Sequence, residues 1–212
     1  MQEKKLINTA KQLARQVECA KQAGMYETMF ICFGSLLGDV RHNHSIIPGD
    51  NDMDVGFISE KTTREQQMEY LRLIQQPCKD FPTPKGLFAY RGEASFREDT
   101  RKLYWASIRG KPAEECYKCC HWFFWTQYGY TWHSKGRGSL VKGAPSGIVG
   151  VGPEIEFLGV KIHTMSKVGS ILDFWYVDWN IPRSGGNSSK KVLMSVKKWN
   201  PLKGVVIEQR VA

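Results

Sequence analysis

The chain has 212 residues, 42% of them hydrophobic and 12% aromatic, with a formal net charge of +9. That composition excludes a disordered chain and gives enough apolar side chains for a sizeable core. The positive balance favours anionic partners such as nucleotides, phosphorylated polymers, nucleic acid or an anionic lipid surface.

The first residues carry charge and amphipathy but no apolar core of a secretory signal, and no apolar run reaches bilayer-spanning length. A soluble, cytoplasmic protein is the expectation, with peripheral membrane contact left open. Six cysteines (Cys19, Cys32, Cys78, Cys116, Cys119 and Cys120) are irregularly spaced, which predicts reduced thiols rather than a disulfide framework. We expect one domain over residues 1–212, with its core about 24–183 and a basic tail over 184–212.

Leu6, Ala10, Leu13, Ala14 and Val17 recur at three- and four-residue intervals, predicting a first amphipathic helix that continues to Ala23 and breaks at Gly24. Met29 to Phe33 is short and wholly apolar, as in a buried strand or a helix-to-strand junction. Gly34 to Val40 reads as a short helix with Ser35 near its N-terminus. A turn then precedes a strand over Asp52 to Ile58. Thr62 or Thr63 is suited to cap a helix that runs through Gln67 to Gln76 and stops at Pro77.

Pro82, Pro84, Gly86 and Gly92 punctuate a loop-rich stretch around LFAY and ASFRE strands, and residues 103–110 read as a further strand. The aromatic run CYKCCHWFFWTQYGYTW fits strand or helix. Residues 134–152, rich in glycine and serine, read as a flexible basic loop. Residues 155–165 alternate like one strand around Gly159. Ser166 is placed to cap a helix through Phe174 that ends before Pro182.

The densest chemistry lies in FGSLLGDVRHNHSIIPGDNDMDVGFIS, from Phe33 to Ser59. On a strand, Asp52 and Asp54 fall on one face while Met53 and Val55 face the core. Two adjacent carboxylates repel unless a proton or a divalent cation lies between them. Oxygen-only ligands suit Mg²⁺ or Mn²⁺, and Mg²⁺ completes its shell with water and substrate phosphates. The Gly34-Ser35 turn at a helix start lets backbone N–H groups approach a phosphate. A DxD pair or a GS turn alone is weak; the weight of the two together comes from a family resemblance.

GSLLGDVRHNHSIIPGDNDMDVG resembles the signature of the LicD/fukutin-related family of the nucleotidyltransferase superfamily, which reads roughly GTLLGxxRxxxFIPWDDDIDxG. A second block, FLGVKIHTMSKVGSILDFWYVDWNIP (157–182), is similar to the family's later motif, with Tyr176, Asp178, Trp179 and Pro182 in register. The resemblance implies an α+β fold, a nucleotidyltransferase-like small mixed sheet flanked by helices. It implies transfer of a phospho-substituent, such as phosphocholine or a polyol phosphate, from a CDP-linked donor to a hydroxyl of a glycan or glycolipid acceptor. Carried over residue by residue, Asp52 and Asp54 bind Mg²⁺ or Mn²⁺, and Gly34 and Ser35 hold the donor phosphates. Arg41 neutralises charge or braces the acid loop, and Asp50 orients that loop.

The family's tryptophan before the acids is Gly49 here, and its middle aspartate is Asn51. Its third acid, on a later strand, has no clear counterpart. By position and apolarity CCHWFFW stands there, which nominates His121 or Cys120, with His121 able to ligate the metal or take the acceptor's proton. Glu98, Asp99 and Glu156 are alternatives. Arg91, Arg97, Arg101, Lys102 and Arg109 supply further cations.

Weaker signals compete. Cys116, Cys119, Cys120 and His121, with Cys78, form a zinc half-site pattern, for which buried inert thiols are the simpler reading. Trp122 to Trp132 beside a basic loop resembles a single-strand stacking platform, but a core strand explains it more simply and no RNA-binding motif appears. The same loop could close over an anionic donor. His42, His44, His133 and His163 read as ordinary histidines. Two alternatives to a transferase therefore stand: an inactive nucleotide- or glycan-binding relative, and a basic nucleic-acid-binding protein.

Overall fold

The computed structural model describes residues 2–50, 52–76, 95–96, 103–109, 119–125, 129–133, 139–143, 149–176 and 178–181. Helix α1 (Gln2–Gln22) forms as expected and buries Leu13 and Val17 of the expected stripe together with Ala20; Leu6 and Ala10 are half-buried, and Ala14 faces solvent. It ends at Gly24, whose φ of 67° is the left-handed conformation that a Cβ disfavours. A 3₁₀ turn (Tyr26–Thr28) leads into β1 (Met29–Ile31), every residue of which is buried.

Helix α2 (Phe33–Arg41) follows after one residue, then a loop, then β2 (Asp52–Ile58) on the expected boundaries. Thr63 caps α3 (Arg64–Gln75) in a full capping box with Gln66, satisfying two orphan amides reciprocally. The Arg15 guanidinium of α1 reaches the last carbonyls of α3, Leu73 at 3.1 Å and Ile74 at 3.3 Å, where a cation meets the negative end of the helix.

Of the two strands expected in the loop-rich stretch, LFAY lies outside the described residues, while ASFRE contributes β3 (Ser95–Phe96). Then come β4 (Leu103–Arg109) and β5 (Cys119–Trp125), so the front of the aromatic run is strand. Two expectations are corrected here. Part of the glycine-rich segment is strand: β7 (Ser139–Gly143) pairs antiparallel with β6 (Gly129–His133), because S-L-V-K-G gains a hydrogen-bonding partner in β6. The stretch around Gly159 is not one strand but a hairpin, β8 (Val151–Phe157) and β9 (Val160–Met165), turning at Leu158 and Gly159, both with positive φ.

Helix α4 (Val168–Trp175) has Lys167, not Ser166, at its N-cap. The Ser166 N–H instead donates to the Gly150 carbonyl at 2.9 Å, closing the hairpin edge.

Seven strands form one mixed sheet in the order β3-β4-β5-β2-β1-β9-β8. The central strands set the site: β1 runs antiparallel to β2 and parallel to β9, while β2 runs parallel to β5. With its helices this is an α+β fold, and its mixed sheet is the kind the resemblance implied. Phe30, Ile31, Met53, Val55, Phe57, Trp125 and Phe157 are fully buried and make the core from neighbouring strands. Helix α2 packs on β2, α4 on α2, and α1 on α3 and β9.

Candidate active site

The C-terminal end of β1 turns abruptly into α2. The turn is made by Phe33, a non-glycine residue at φ 44°, a conformation that costs energy unless its surroundings hold it. The Phe33 ring stacks on Trp175 of α4 at 4.3 Å between centroids and lies 5.5 Å from Trp125 of β5. This aromatic clamp fixes where the first amides of α2 point.

They point at β2. The Gly34 N–H donates to Asp54 Oδ2 at 3.2 Å, so Asp54 caps α2 from across the sheet, where the positive end of the helix favours a carboxylate. In return, the Asp54 N–H donates to Ser35 Oγ at 2.9 Å. Ser35 and Asp54 are only 4% and 8% exposed, so this acid is largely withdrawn from water. The neighbouring Cys32 registers its charge. Burial pushes the thiol well above its ordinary range, the Asp54 carboxylate adds to the rise, and a hydrogen bond from Trp125 offsets part of it.

Glycines 34 and 38, one turn apart on α2, let the acid loop lie directly on the helix. A methyl on Gly38 would come 2.6 Å from the Ser45 carbonyl oxygen; one on Gly34 would come 2.9 Å from Asp50 Oδ2 and 3.5 Å from Asp54 Oδ2. Asp50 and Asp54 thus converge on the notch left by a missing side chain. Asp50, given to loop structure by the sequence reading, is brought to the same point as Asp54. Its approach depends on how the loop folds back, and nothing in the local spacing signals that.

Asp52 begins β2, two residues before Asp54, and its strand register places it beside Cys119. His121 is the register partner of Asp54 on β5, and Cys120 that of Met53. The strand of His121 and Cys120 therefore runs next to the strand of Asp52 and Asp54. Arg41 is not brought to the Gly34-Ser35 turn: it lies seven residues further along α2, about 10 Å at the helical rise. There its guanidinium donates to the Ile181 carbonyl at 2.5 Å, tying the second motif block to the first.

Two further contacts join the two blocks, the Phe33–Trp175 stack and the Leu158 N–H donating to the His44 carbonyl at 2.9 Å; within the second block, Trp179 Nε1 donates to Asp173 at 2.6 Å and braces the end of α4. Of the alternative acids, Glu156 lies on β8, separated from β2 by β9 and β1; Glu98 and Asp99 lie outside the described residues, as do Cys78 and Cys116.

Among the described residues, no three His, Cys, Asp or Glu side chains are assembled as a metal cage, and no helix is long and apolar enough to cross a membrane. Convergent carboxylate oxygens without nitrogen or sulfur suit a hard divalent cation that takes the rest of its shell from water and phosphate.

A sheet that delivers acids to the N-terminus of a helix opened by a Gly-Ser turn is the frame of a phosphoryl-handling enzyme. The family model of the LicD/FKTN/FKRP nucleotidyltransferase domain matches residues 27–135, just over half of the chain, and the chain belongs to that family. It is accordingly a member of a transferase-type enzyme family. The match takes in β1, α2, β2 and β5, and stops before the second motif block. No curated protein matches the chain.

Proposed function

We propose that this protein is a metal-dependent transferase that moves a phospho-substituent from a CDP-linked donor to a hydroxyl of a glycan or glycolipid. The observation that carries the reading is the desolvated Asp54, aimed at the start of α2 with Asp50 Oδ2 at the same notch. A buried carboxylate of this kind is costly to keep for packing alone, and its value lies in a cationic partner.

Asp52 and Asp54 would hold Mg²⁺ or Mn²⁺, with Asp50 brought to the same notch as Asp54. Bound there, the ion would neutralise the donor diphosphate and polarise the phosphoryl group under attack. The chain's own residues do the rest. Because the Gly34 N–H is committed to Asp54, Ser35 supplies the phosphate-facing donors of the turn. The Phe33–Trp175–Trp125 clamp holds those donors still, which is how phosphoryl-transfer enzymes lower the barrier. His121, one strand over from Asp54, takes the proton of the acceptor hydroxyl. Arg41 acts as a brace: it holds the 178–181 segment against α2.

A thermal-shift series with CDP, CTP and CDP-alcohols, with and without Mg²⁺, tests the reading. Stabilisation by CDP-linked ligands that requires the metal supports it, and turnover with a glycan acceptor completes it. Metal-independent, salt-steep binding to oligonucleotides in place of CDP ligands would point to nucleic acid.

A further inference from the structure

The polar stripe of α2 does not end at Ser35. Asp39, one turn further on the same face, is 7% exposed. Its carboxylate lies 2.7 Å from Nδ1 of His44, whose side chain is 58% exposed. His44 is unusually constrained for a surface residue. Its φ is 59° and that of Asn43 before it is 51°, both left-handed. Its N–H donates to the Asp39 carbonyl at 3.0 Å, and its own carbonyl accepts the Leu158 N–H at 2.9 Å. Backbone on both sides and one ring nitrogen are thus fixed, while the opposite edge of the ring faces outward.

A carboxylate has no hydrogen to give, so Nδ1 carries the one shared with Asp39, and in the neutral imidazole Nε2 is then the nitrogen with the lone pair. Asp39 lies five residues beyond Gly34 on α2, about 7 Å along the helix, within the span of one extended nucleotide-linked substrate. The loop from His44 to Asp50 runs back along α2, so His44 and the acid notch are the two ends of one surface strip.

We propose that His44 is a substrate-contacting residue that accepts a hydrogen bond from an alcohol hydroxyl, with Asp39 as its positioning residue. The proposal rests on the transferase reading for its ligands. Three sources share this chemistry: the ribose of the nucleotide, the polyol carried by the donor, and the sugar of the acceptor.

The test uses the full chain, ¹⁵N-labelled, followed through the imidazole nitrogens by two-bond correlation spectra. In the free protein His44 should show hydrogen on Nδ1 and a bare Nε2, and Asp39→Asn should mix or invert that tautomer. The probes are CDP with Mg²⁺, CDP-ribitol with Mg²⁺, and methyl α-glucoside at millimolar concentration. A shift of the His44 Nε2 resonance with CDP identifies the ribose, with CDP-ribitol alone the donor polyol, and with the glucoside the acceptor sugar.

His44→Asn separates contact from loop anchoring, since Asn tolerates the left-handed backbone and keeps an N–H for Asp39. We expect it to leave the melting temperature unchanged and to weaken the responding probe about tenfold. Hydrogen on Nε2, no response to any of the three probes, or a His44→Asn variant that binds like the parent overturns the proposal. If neither CDP ligand gives a Mg²⁺-dependent thermal shift, the transferase reading fails separately, and the tautomer and glucoside measurements still decide the role of His44.

Discussion

The two ends of β1 both carry clusters of charge, and they are built differently. At the N-terminal end, the Tyr26 hydroxyl donates to Glu154 at 2.7 Å, Lys161 Nζ lies 3.4 Å from the same carboxylate, and His163 lies 3.9 Å from Glu27. Glu154 there pairs with the Tyr26 hydroxyl and with Lys161, and its carboxyl is accordingly held below its usual range by Tyr26 first and Lys161 after it. Exposed pairs of this kind contribute little to stability. At the C-terminal end, Asp54 is buried, the donor aimed at it is a backbone N–H, and another carboxylate approaches the same notch. Charge density alone therefore does not mark a site. What distinguishes the C-terminal end is a buried carboxylate with a second one brought to the same notch.

Removing the charge at each end breaks or sharpens that contrast. Asp54→Asn keeps an acceptor for the Gly34 amide but loses the charge, and we expect transfer to fall about a thousandfold, the scale of losing Lewis-acid stabilisation at the phosphoryl group. Steady-state assays beside melting curves would check that the fold survives. Glu154→Gln should leave turnover unchanged; a comparable loss there would erase the distinction between the two ends.

A stability effect comes next in size. Gly38→Ala would drive a methyl against the Ser45 carbonyl, and we expect a loss of about 1–3 kcal/mol in urea titrations, with weakened metal-dependent ligand binding as the acid loop is lifted.

The smallest effect is at the surface cluster. Tyr26→Phe should cost about 0.5–1.5 kcal/mol near neutrality, the net value of one hydrogen bond. Its signature is in the pH dependence. Burial first, and Glu154 second, raise the Tyr26 hydroxyl well above its ordinary value. A group raised on folding stabilises below its unfolded pKa, about 10 for tyrosine, and that contribution is lost as pH rises through the folded value. The parent should therefore lose stability more steeply than Tyr26→Phe above the ordinary tyrosine range. Parallel curves would remove the coupling.

How much of this was legible in the sequence follows the range of the forces involved. The β2 strand, the α3 cap and the break at Gly24 depend on neighbours a few residues away, and they stand where the residues place them. The α+β class was read from the resemblance carried by the two motif blocks. The β6–β7 hairpin was not legible, because a strand of five residues with a glycine end acquires its identity from the partner it pairs with. Ser166 has the side chain of a helix cap, but its backbone still pairs with Gly150 at the hairpin edge, and the helix starts one residue too late for it to cap.

At the site, the Asp52–Asp54 alternation and the Gly-Ser turn could be read from spacing. The convergence of Asp50 on Gly34, the tether from Arg41 to Ile181 and the seat of His44 on Asp39 could not. Each needs a loop to fold back or a distant segment to arrive.

The central claim is that the acids of β2 hold a divalent ion against the diphosphate of a nucleotide at the start of α2. The most direct measurement is anomalous diffraction at the manganese edge from crystals grown with Mn²⁺ and CDP. The account predicts one strong peak bonded to carboxylate oxygens of Asp52 and Asp54 and to phosphate oxygens lying over Ser35. Well-ordered CDP at that turn with no anomalous peak at either aspartate, or a manganese peak elsewhere in the fold, would contradict it.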